Sequence, residues 1–290
     1  MAKLFIAKTF GELYLKLLQN LLWDGAEVKI NRTGQLTKEL LGVTLHVEDA
    51  RSNVLVHPAR GLNYRFLVAE WLWIMAGRED VGSISYYNSK IAWYSDDGKT
   101  FAGAYGPRLE LQFDYLIRTL KEDPSSRQAV ATIWTPNPAV TRDTPCTLHL
   151  QLILRDGKLH GIFSMRSSDA WKGVCYDTFN FSQLLNHYAG ELDAETGSMT
   201  LHLGSSHLYE EEWKLAETVV AKPEAIETLH SPQLNNHGTG RGMANLALWT
   251  RHEFQEDKEN EPWLTYFKVL RSETSSLALT HLRRLHESSL

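Results

Sequence analysis

A thiol, a guanidinium and a pair of carboxyls fall close together in this chain, and their spacing suggests that they share one site. Thr144-Pro145-Cys146-Thr147 precedes an alternating apolar run, and beyond that run comes Arg166-Ser167-Ser168-Asp169-Ala170-Trp171-Lys172-Gly173-Val174-Cys175-Tyr176-Asp177. The second stretch follows a strand and opens a helix, a place where backbone N–H groups hold anions. Cysteine is reactive as the thiolate, and a neighbouring arginine favours that form. Cys146 beside a proline turn, with Arg166 in reach, therefore reads as a nucleophile acting on an anionic substrate. The plainer reading, inert packing, is kept for Cys175.

These residues must be held by elements legible in the hydrophobic pattern. Leu148, Leu150, Leu152 and Leu154 alternate with His149, Gln151 and Ile153. Asp156-Gly157 turns the chain, and Leu159 to Met165 returns as the partner of a hairpin. Cys146 lies at its mouth and Arg166 at its far end, so the two meet at one sheet edge. Phe179 to Tyr188 predicts a helix. Ser198 to Leu203 predicts a strand that runs into Gly204-Ser205-Ser206-His207-Leu208-Tyr209, where His207 and Tyr209 point the same way.

Upstream, Phe10, Leu13, Tyr14, Leu17, Leu18 and Leu21 follow helical spacing until Asp24-Gly25. Arg32 sits in a polar turn, Ile30 to Gly34, before a strand over Leu40 to Val47. Tyr64 to Ala76 predicts a helix that is apolar almost all round, with Glu70 in its middle. Burying an unpaired carboxylate costs several kcal/mol, so Glu70 reads as a site residue more than as the wet edge of a helix. Ser83 to Arg108 predicts a loop whose aromatics, Tyr86, Tyr87, Trp93, Tyr94, Phe101 and Tyr105, either line a pocket or anchor the loop. A helix over Leu109 to Leu120, a turn ending in Ser126-Arg127 and a strand over Ala129 to Trp134 follow. Beyond Trp213 the signal weakens to a loop over Ser231 to Met243, a strand over Trp263 to Leu270 and a helix over Ser275 to His286.

Composition bounds the function. With 43% apolar and 22% charged residues among 290, the chain can bury a large core. A net charge of −5 argues against coating nucleic acid through a basic surface. Two cysteines provide no disulfide framework. The start, Met1-Ala2-Lys3-Leu4-Phe5-Ile6, lacks a signal-peptide pattern, and no apolar run approaches a membrane span. A soluble cytoplasmic protein is expected, with no membrane partner. No metal-ligand spacing, Walker motif or GxGxxG motif appears, and no composition break divides residues 1–290, so one domain is expected.

Taken in order, these motifs resemble the thymidylate synthase family. The resemblance rests on Arg32-Thr33-Gly34, Glu70 before a Trp-rich helix end, Tyr105-Gly106, Ser126-Arg127, Pro145-Cys146, Arg166-Ser167-x-Asp169 reaching Gly173, and Gly204-x-x-His207-x-Tyr209. It covers roughly residues 9–220, and 220–290 diverge. It implies an α/β fold with a large mixed β-sheet packed by helices, forming a sheet-to-sheet homodimer. It also implies a pyrimidine nucleoside monophosphate as substrate, 5,10-methylenetetrahydrofolate as co-substrate and no metal. By resemblance Cys146 attacks C6 of the pyrimidine. Arg32, Arg166 and Ser167 grip the phosphate, with Arg127 reaching over from the partner subunit. Glu70 orders water and moves protons, Tyr105 handles the C5 proton, Asp169 binds the pterin, and His207 and Tyr209 bind the sugar.

Four departures shape the expected activity. Asp177 stands where thymidylate synthases carry Asn, as in the deoxycytidylate hydroxymethylase branch; a carboxyl suits the 4-amino group and N3 of cytosine. Thr147 follows Cys146 in place of the usual His. The chain ends Leu285-His286-Glu287-Ser288-Ser289-Leu290 in place of a short apolar tail closing over folate, which favours capture of an exocyclic methylene by water. Gln128 replaces an arginine of the phosphate grip. The expectation is 5-hydroxymethylation of dCMP, with CMP possible as substrate. The alternatives are a thymidylate synthase converting dUMP to dTMP, a non-catalytic nucleotide- or RNA-binding relative, and a hydrolase pairing Cys146 with His207.

Overall fold

The fold is taken from a computed structural model that describes residues 2–30, 33–138, 140–234, 240, 242, 244 and 261–289. Helix α1 (Phe10–Asp24) starts where the Thr9 hydroxyl accepts from the Glu12 N–H and stops as the Gly25 N–H donates to the Leu21 carbonyl. Its buried face is the predicted one, Phe10, Leu13, Tyr14, Leu17, Leu18 and Leu21. Strands β1 (Lys3–Ala7), β2 (Ala26–Lys29), β3 (Leu36–Val47), β5 (Val130–Thr132), β6 (Thr147–Arg155), β7 (Lys158–Asp169) and β8 (Glu195–Tyr209) form one mixed sheet. Its order is β1-β3-β8-β7-β6-β5, with β2 on β3; β1–β3 and β7–β8 are parallel and the remaining pairs antiparallel. A separate ribbon joins β4 (Ser52–Val56) to β9 (Glu227–His230).

Two helices carry the rest of the site. In α2 (Tyr64–Met75) the Asn63 side chain accepts from the Phe66 N–H, while the Asn63 N–H donates to the Tyr176 hydroxyl of α5 (Val174–Glu191). Helix α5 lies on β7 and β8 and packs against α2, burying Val174, Cys175 and every residue from Thr178 to Gly190. A helix buried on nearly all sides belongs to the interior of a domain. Trp71 of α2 is fully buried and sits edge-on to Phe179 of α5 at 6.2 Å.

Several sequence expectations need correction. Trp263 to Leu270 is helical, in α7 (Glu261–Arg271), because the buried Trp263, Tyr266, Phe267 and Leu270 repeat with a helical period. Trp71 stacks on Trp263 at 5.7 Å and meets Tyr266 at 4.9 Å, so this C-terminal helix anchors α2. The stretch read as a loop from Ser83 to Arg108 holds the end of α3 (Val81–Ser85), a short 3-10 turn (Ser89–Tyr94) and the start of α4 (Tyr105–Glu122). The Asp80 side chain caps α3, and Pro107 fits the first turn of α4, where a missing N–H does no harm. Strands β1, β4 and β9 and α6 (Glu210–Val220) were not visible in the pattern. Helix α8 (Ser275–Glu287) matches its expectation. The loop expected over Ser231 to Met243 falls mostly outside the described residues, and Arg32 does so entirely. Among the described residues no helix is long and apolar enough to cross a membrane.

Candidate active site

The stretch from Arg166, read as following a strand and opening a helix, is itself strand as far as Asp169. Arg166, Ser167, Ser168 and Asp169 complete β7, with Ser167 opposite Ser205 and Asp169 opposite His207 of β8. That close pairing depends on Gly204, where a Cβ would stand 2.8 Å from the Arg166 carbonyl oxygen. On the other flank the Arg166 N–H donates to the Cys146 carbonyl at 2.8 Å. Register thus brings Cys146, just before β6, beside Arg166 of β7, with His207 on the next strand, β8.

The Arg166 side chain straps the cysteine turn. Its Nε donates to the Pro145 carbonyl at 2.9 Å and Nη2 to the Thr144 carbonyl at 3.0 Å, and Nη2 lies 3.6 Å from Cys146 Sγ. The expectation that arginine lowers the thiol pKa is only half met. Burial pushes Cys146 up to about 11; Arg166 pulls it down, but Asp177, Asp143 and Asp169 push it further up. A guanidinium shared with two carbonyls cannot offset that much desolvation.

The polar residues of β7 and β8 line up beside this turn. The Ser167 hydroxyl lies 3.4 Å from His207 Nδ1, and the rings of His207 and Tyr209 meet edge-on at 5.2 Å. Burial holds the His207 imidazole below its usual range. Asp169 Oδ1 accepts from the Trp171 and Lys172 N–H groups at 2.7 and 2.9 Å, fixing the turn into α5. Lys172 pairs with Glu211 and, at 3.1 Å, Glu212 of α6, and lies 5.0 Å over the Tyr209 ring. The Tyr105 hydroxyl accepts from the Thr147 N–H at 3.3 Å, and burial followed by the Cys146 charge drives its pKa far above the usual range.

Opposite these strands, α2 and α5 bring Glu70 toward Asp177. Burial pushes Glu70 up to about 7, held down by the Asn180 amide, whose Nδ2 donates to Glu70 Oε2 at 2.7 Å. Burial, then the Glu70 charge, pushes Asp177 up to about 8; the Ser168 hydroxyl at 3.2 Å pulls it down, and the Asp169 charge adds to the rise. Asn180 was missed in the sequence. The available signal was its place one turn after Asp177, as an amide inside the apolar run Phe179-Asn180-Phe181.

Not every predicted residue converges. Arg127 stays exposed at the turn before β5, where its carbonyl accepts from Gln151 Nε2 at 2.8 Å. Gln128 is exposed beside it, its carbonyl taking the Tyr115 hydroxyl at 2.9 Å. Cys175 is buried, as expected of a structural residue, and feels the Arg60 charge. The rings of Trp93 and Tyr94 are exposed, with the Arg142 guanidinium 5.8 Å from the Trp93 ring centroid. Among the described residues no group of His, Cys, Asp and Glu could hold a metal ion.

Residues 12–253 match the family model described as thymidylate synthase. A Bacillus phage SP01 protein named deoxyuridylate hydroxymethyltransferase is 33% identical over 232 residues, which are 72% of this chain and 60% of that protein. The chain therefore spans about three fifths of that relative's length. A Methanothermobacter thermautotrophicus protein provisionally named as a thymidylate synthase is 31% identical over 214 residues, 71% of this chain and 92% of its own. Thermostable thymidylate synthase A from Bacillus subtilis shares the fold, with a TM-score of 0.64 at 23% identity over 77% of this chain and 87% of that one.

Proposed function

The chain belongs to the thymidylate synthase family, and from that premise we propose that it carries out folate-dependent 5-hydroxymethylation of a cytidine monophosphate, dCMP in preference to CMP. The observation that carries this reading is the carboxyl of Asp177, half-buried beside Glu70 and hydrogen-bonded by Ser168. A protonated carboxyl there offers O–H to N3 of cytosine and C=O to its 4-amino group, satisfying both edges.

Cys146 Sγ, as thiolate, adds to C6 of the base and leaves C5 nucleophilic. The Cys146 thiol must lose its proton first, and an anionic substrate drawn to Arg166 does not help it; a base does, and Glu70, pushed up to about 7, has the proton affinity for that task. Arg166 and Ser167, with Arg32 and the partner subunit's Arg127, hold the phosphate in a sheet-to-sheet homodimer. His207 and Tyr209 hold the sugar, and Asp169 the pterin. Methylenetetrahydrofolate, as co-substrate, supplies a one-carbon unit at the oxidation level of formaldehyde. After C5 has taken that unit, Tyr105 and Glu70 manage loss of the C5 proton, and the carbon–nitrogen bond to the folate breaks, releasing tetrahydrofolate and leaving the exocyclic methylene. Water held by Glu70 then adds to the exocyclic methylene, and Cys146 leaves C6 to restore the aromatic ring.

A second reading rests on the SP01 relative, whose name assigns it deoxyuridylate. Uracil would need the carboxyl reversed, its O–H toward O4 and its C=O toward N3–H; in the orientation that suits cytosine the uracil edge is mismatched. The nucleotide panel dCMP, CMP and dUMP separates the two. One mismatched polar pair in a dry pocket costs about 1–3 kcal/mol, roughly tenfold to a hundredfold in kcat/KM. The wild type is expected to favour cytidylates by that range and Asp177→Asn to move toward dUMP; a wild type that favours dUMP hands the function to the second reading.

A further inference from the structure

We infer that Asn180 is a positioning and specificity-determining residue, whose amide keeps Glu70 as the anion and so leaves the one proton of the Glu70–Asp177 pair on Asp177. The inference deepens the cytidylate reading and rests on it. Glu70 and Asp177 face each other between two apolar helices, close enough for the charge of one to act on the other. Two carboxyls in such a place do not both ionise at neutral pH. Which one keeps the proton depends on the donors each is given.

The donors are unequal. Glu70 receives the Asn180 Nδ2–H at 2.7 Å, and an amide N–H can only donate, so it favours the anion. Asp177 receives the Ser168 hydroxyl at 3.2 Å, and a hydroxyl can turn to accept as well as donate, so it tolerates the acid. The other titratable groups around the pair do not reverse this choice. Asp169 pushes Asp177 further toward the acid, while the Cys146 and Cys175 thiols and the Tyr105 and Tyr176 hydroxyls, neutral near pH 7, feel the pair's charge.

A second observation points to a ligand. Asn180 is only 3% exposed, yet its Oδ1 is buried without a hydrogen-bond partner. Buried amide oxygens are rarely left so. With Nδ2 committed to Glu70, Oδ1 is left to accept from a water or from the amino group of a bound base. The same side chain would then fix both the base catalyst and the edge of the substrate.

The test uses Asn180→Leu, which keeps the branched shape and loses the donor, with Asn180→Ala as a second variant and Asn180→Ser as the conservative one. Infrared difference spectra of the ligand-free protein follow protonated carboxyls through a pH titration, with Asp177→Asn and Glu70→Gln assigning the bands. In the wild type the band that persists to the higher pH belongs to Asp177. Losing a hydrogen bond to a charged group moves Glu70 up by about one to two pH units, so Leu and Ala are expected to hold the Glu70 band to a pH higher than the wild type by that amount. Where the protein turns over nucleotide, the acidic limb of kcat moves by the same amount, and Ser returns part of the shift. Bands and limbs that superimpose on the wild type's, with only the melting temperature lowered, overturn the inference and leave Asn180 a packing residue. The spectra need no substrate, so a failure of the cytidylate reading shows separately, in the nucleotide panel.

Discussion

The strand-borne and helix-borne halves of the site solve opposite problems. On the strands, β-register places Cys146, Arg166, Ser167, Asp169, His207 and Tyr209 side by side, and the one cation among them is fixed by two backbone carbonyls. On the helices, Glu70, Asp177 and Asn180 lie between apolar faces, and among the described residues the charges acting on the pair are carboxylates. A half that keeps a positive charge is suited to holding an anion. A half whose carboxyls are pushed toward neutrality is suited to moving protons. On the proposed function, the strands carry the grip and the nucleophile, and the helices carry the proton transfers.

The sharpest way to break the strand half is Cys146→Ser. Turnover should fall by roughly three orders of magnitude or more, because the hydroxyl does not replace the thiolate, while nucleotide binding, measured by calorimetry, stays within a few-fold. Equal losses of binding and turnover would mean that Cys146 shapes the pocket and does not attack.

The helix half breaks through its support. Trp71 is fully buried among Phe179, Trp263 and Tyr266. Trp71→Ala should cost about 3–5 kcal/mol in denaturant unfolding. A loss below about 1 kcal/mol would show that the C-terminal helix does not brace α2.

Arg166→Lys sharpens the grip. It keeps a charge near Cys146 but gives up the fork that spans the Pro145 and Thr144 carbonyls. A drop in kcat/KM of about ten- to a hundredfold is expected, with both KM and kcat affected. A change in KM alone would separate phosphate holding from the placing of the thiol.

The smallest effect is on stability against pH. Glu70 and Asp177 titrate higher in the folded chain than unfolded carboxyls do, so what they contribute to stability is full below about pH 4 and is lost as pH rises through about 7 and about 8. Asp177→Asn should flatten the fall in melting temperature between pH 5 and pH 9, read by differential scanning at about half-unit steps. An unchanged slope would mean that Asp177 ionises freely in the fold.

The strand half was largely legible because its signals are local. Alternating leucines and the Asp156-Gly157 turn set the hairpin, and the hairpin forces Cys146 against Arg166. His207 and Tyr209 followed from the period of a strand. Glu70 stood out as a charge in an apolar helix, but its partner did not. Helix α5 is buried on nearly all sides, so it shows no polar stripe against which Asn180 would look out of place. The C-terminal Trp263 to Leu270 misled for a related reason: aromatic and β-branched residues favour strands locally, and packing against Trp71 decided otherwise. Arg127 at an exposed turn leaves its role with the partner subunit to be tested, by mixing Arg127→Ala with Cys146→Ser and looking for restored turnover in hybrid dimers.

The central claim, that water and not hydride completes the reaction on a cytidylate, is tested most directly by one reaction. Wild-type protein, dCMP and methylenetetrahydrofolate are combined, the nucleotide product is weighed by mass spectrometry, and dihydrofolate is followed by its absorbance. The account predicts 5-hydroxymethyl-dCMP with tetrahydrofolate released and no dihydrofolate signal. Inert dCMP, together with dTMP and dihydrofolate formed from dUMP under the same conditions, would contradict it.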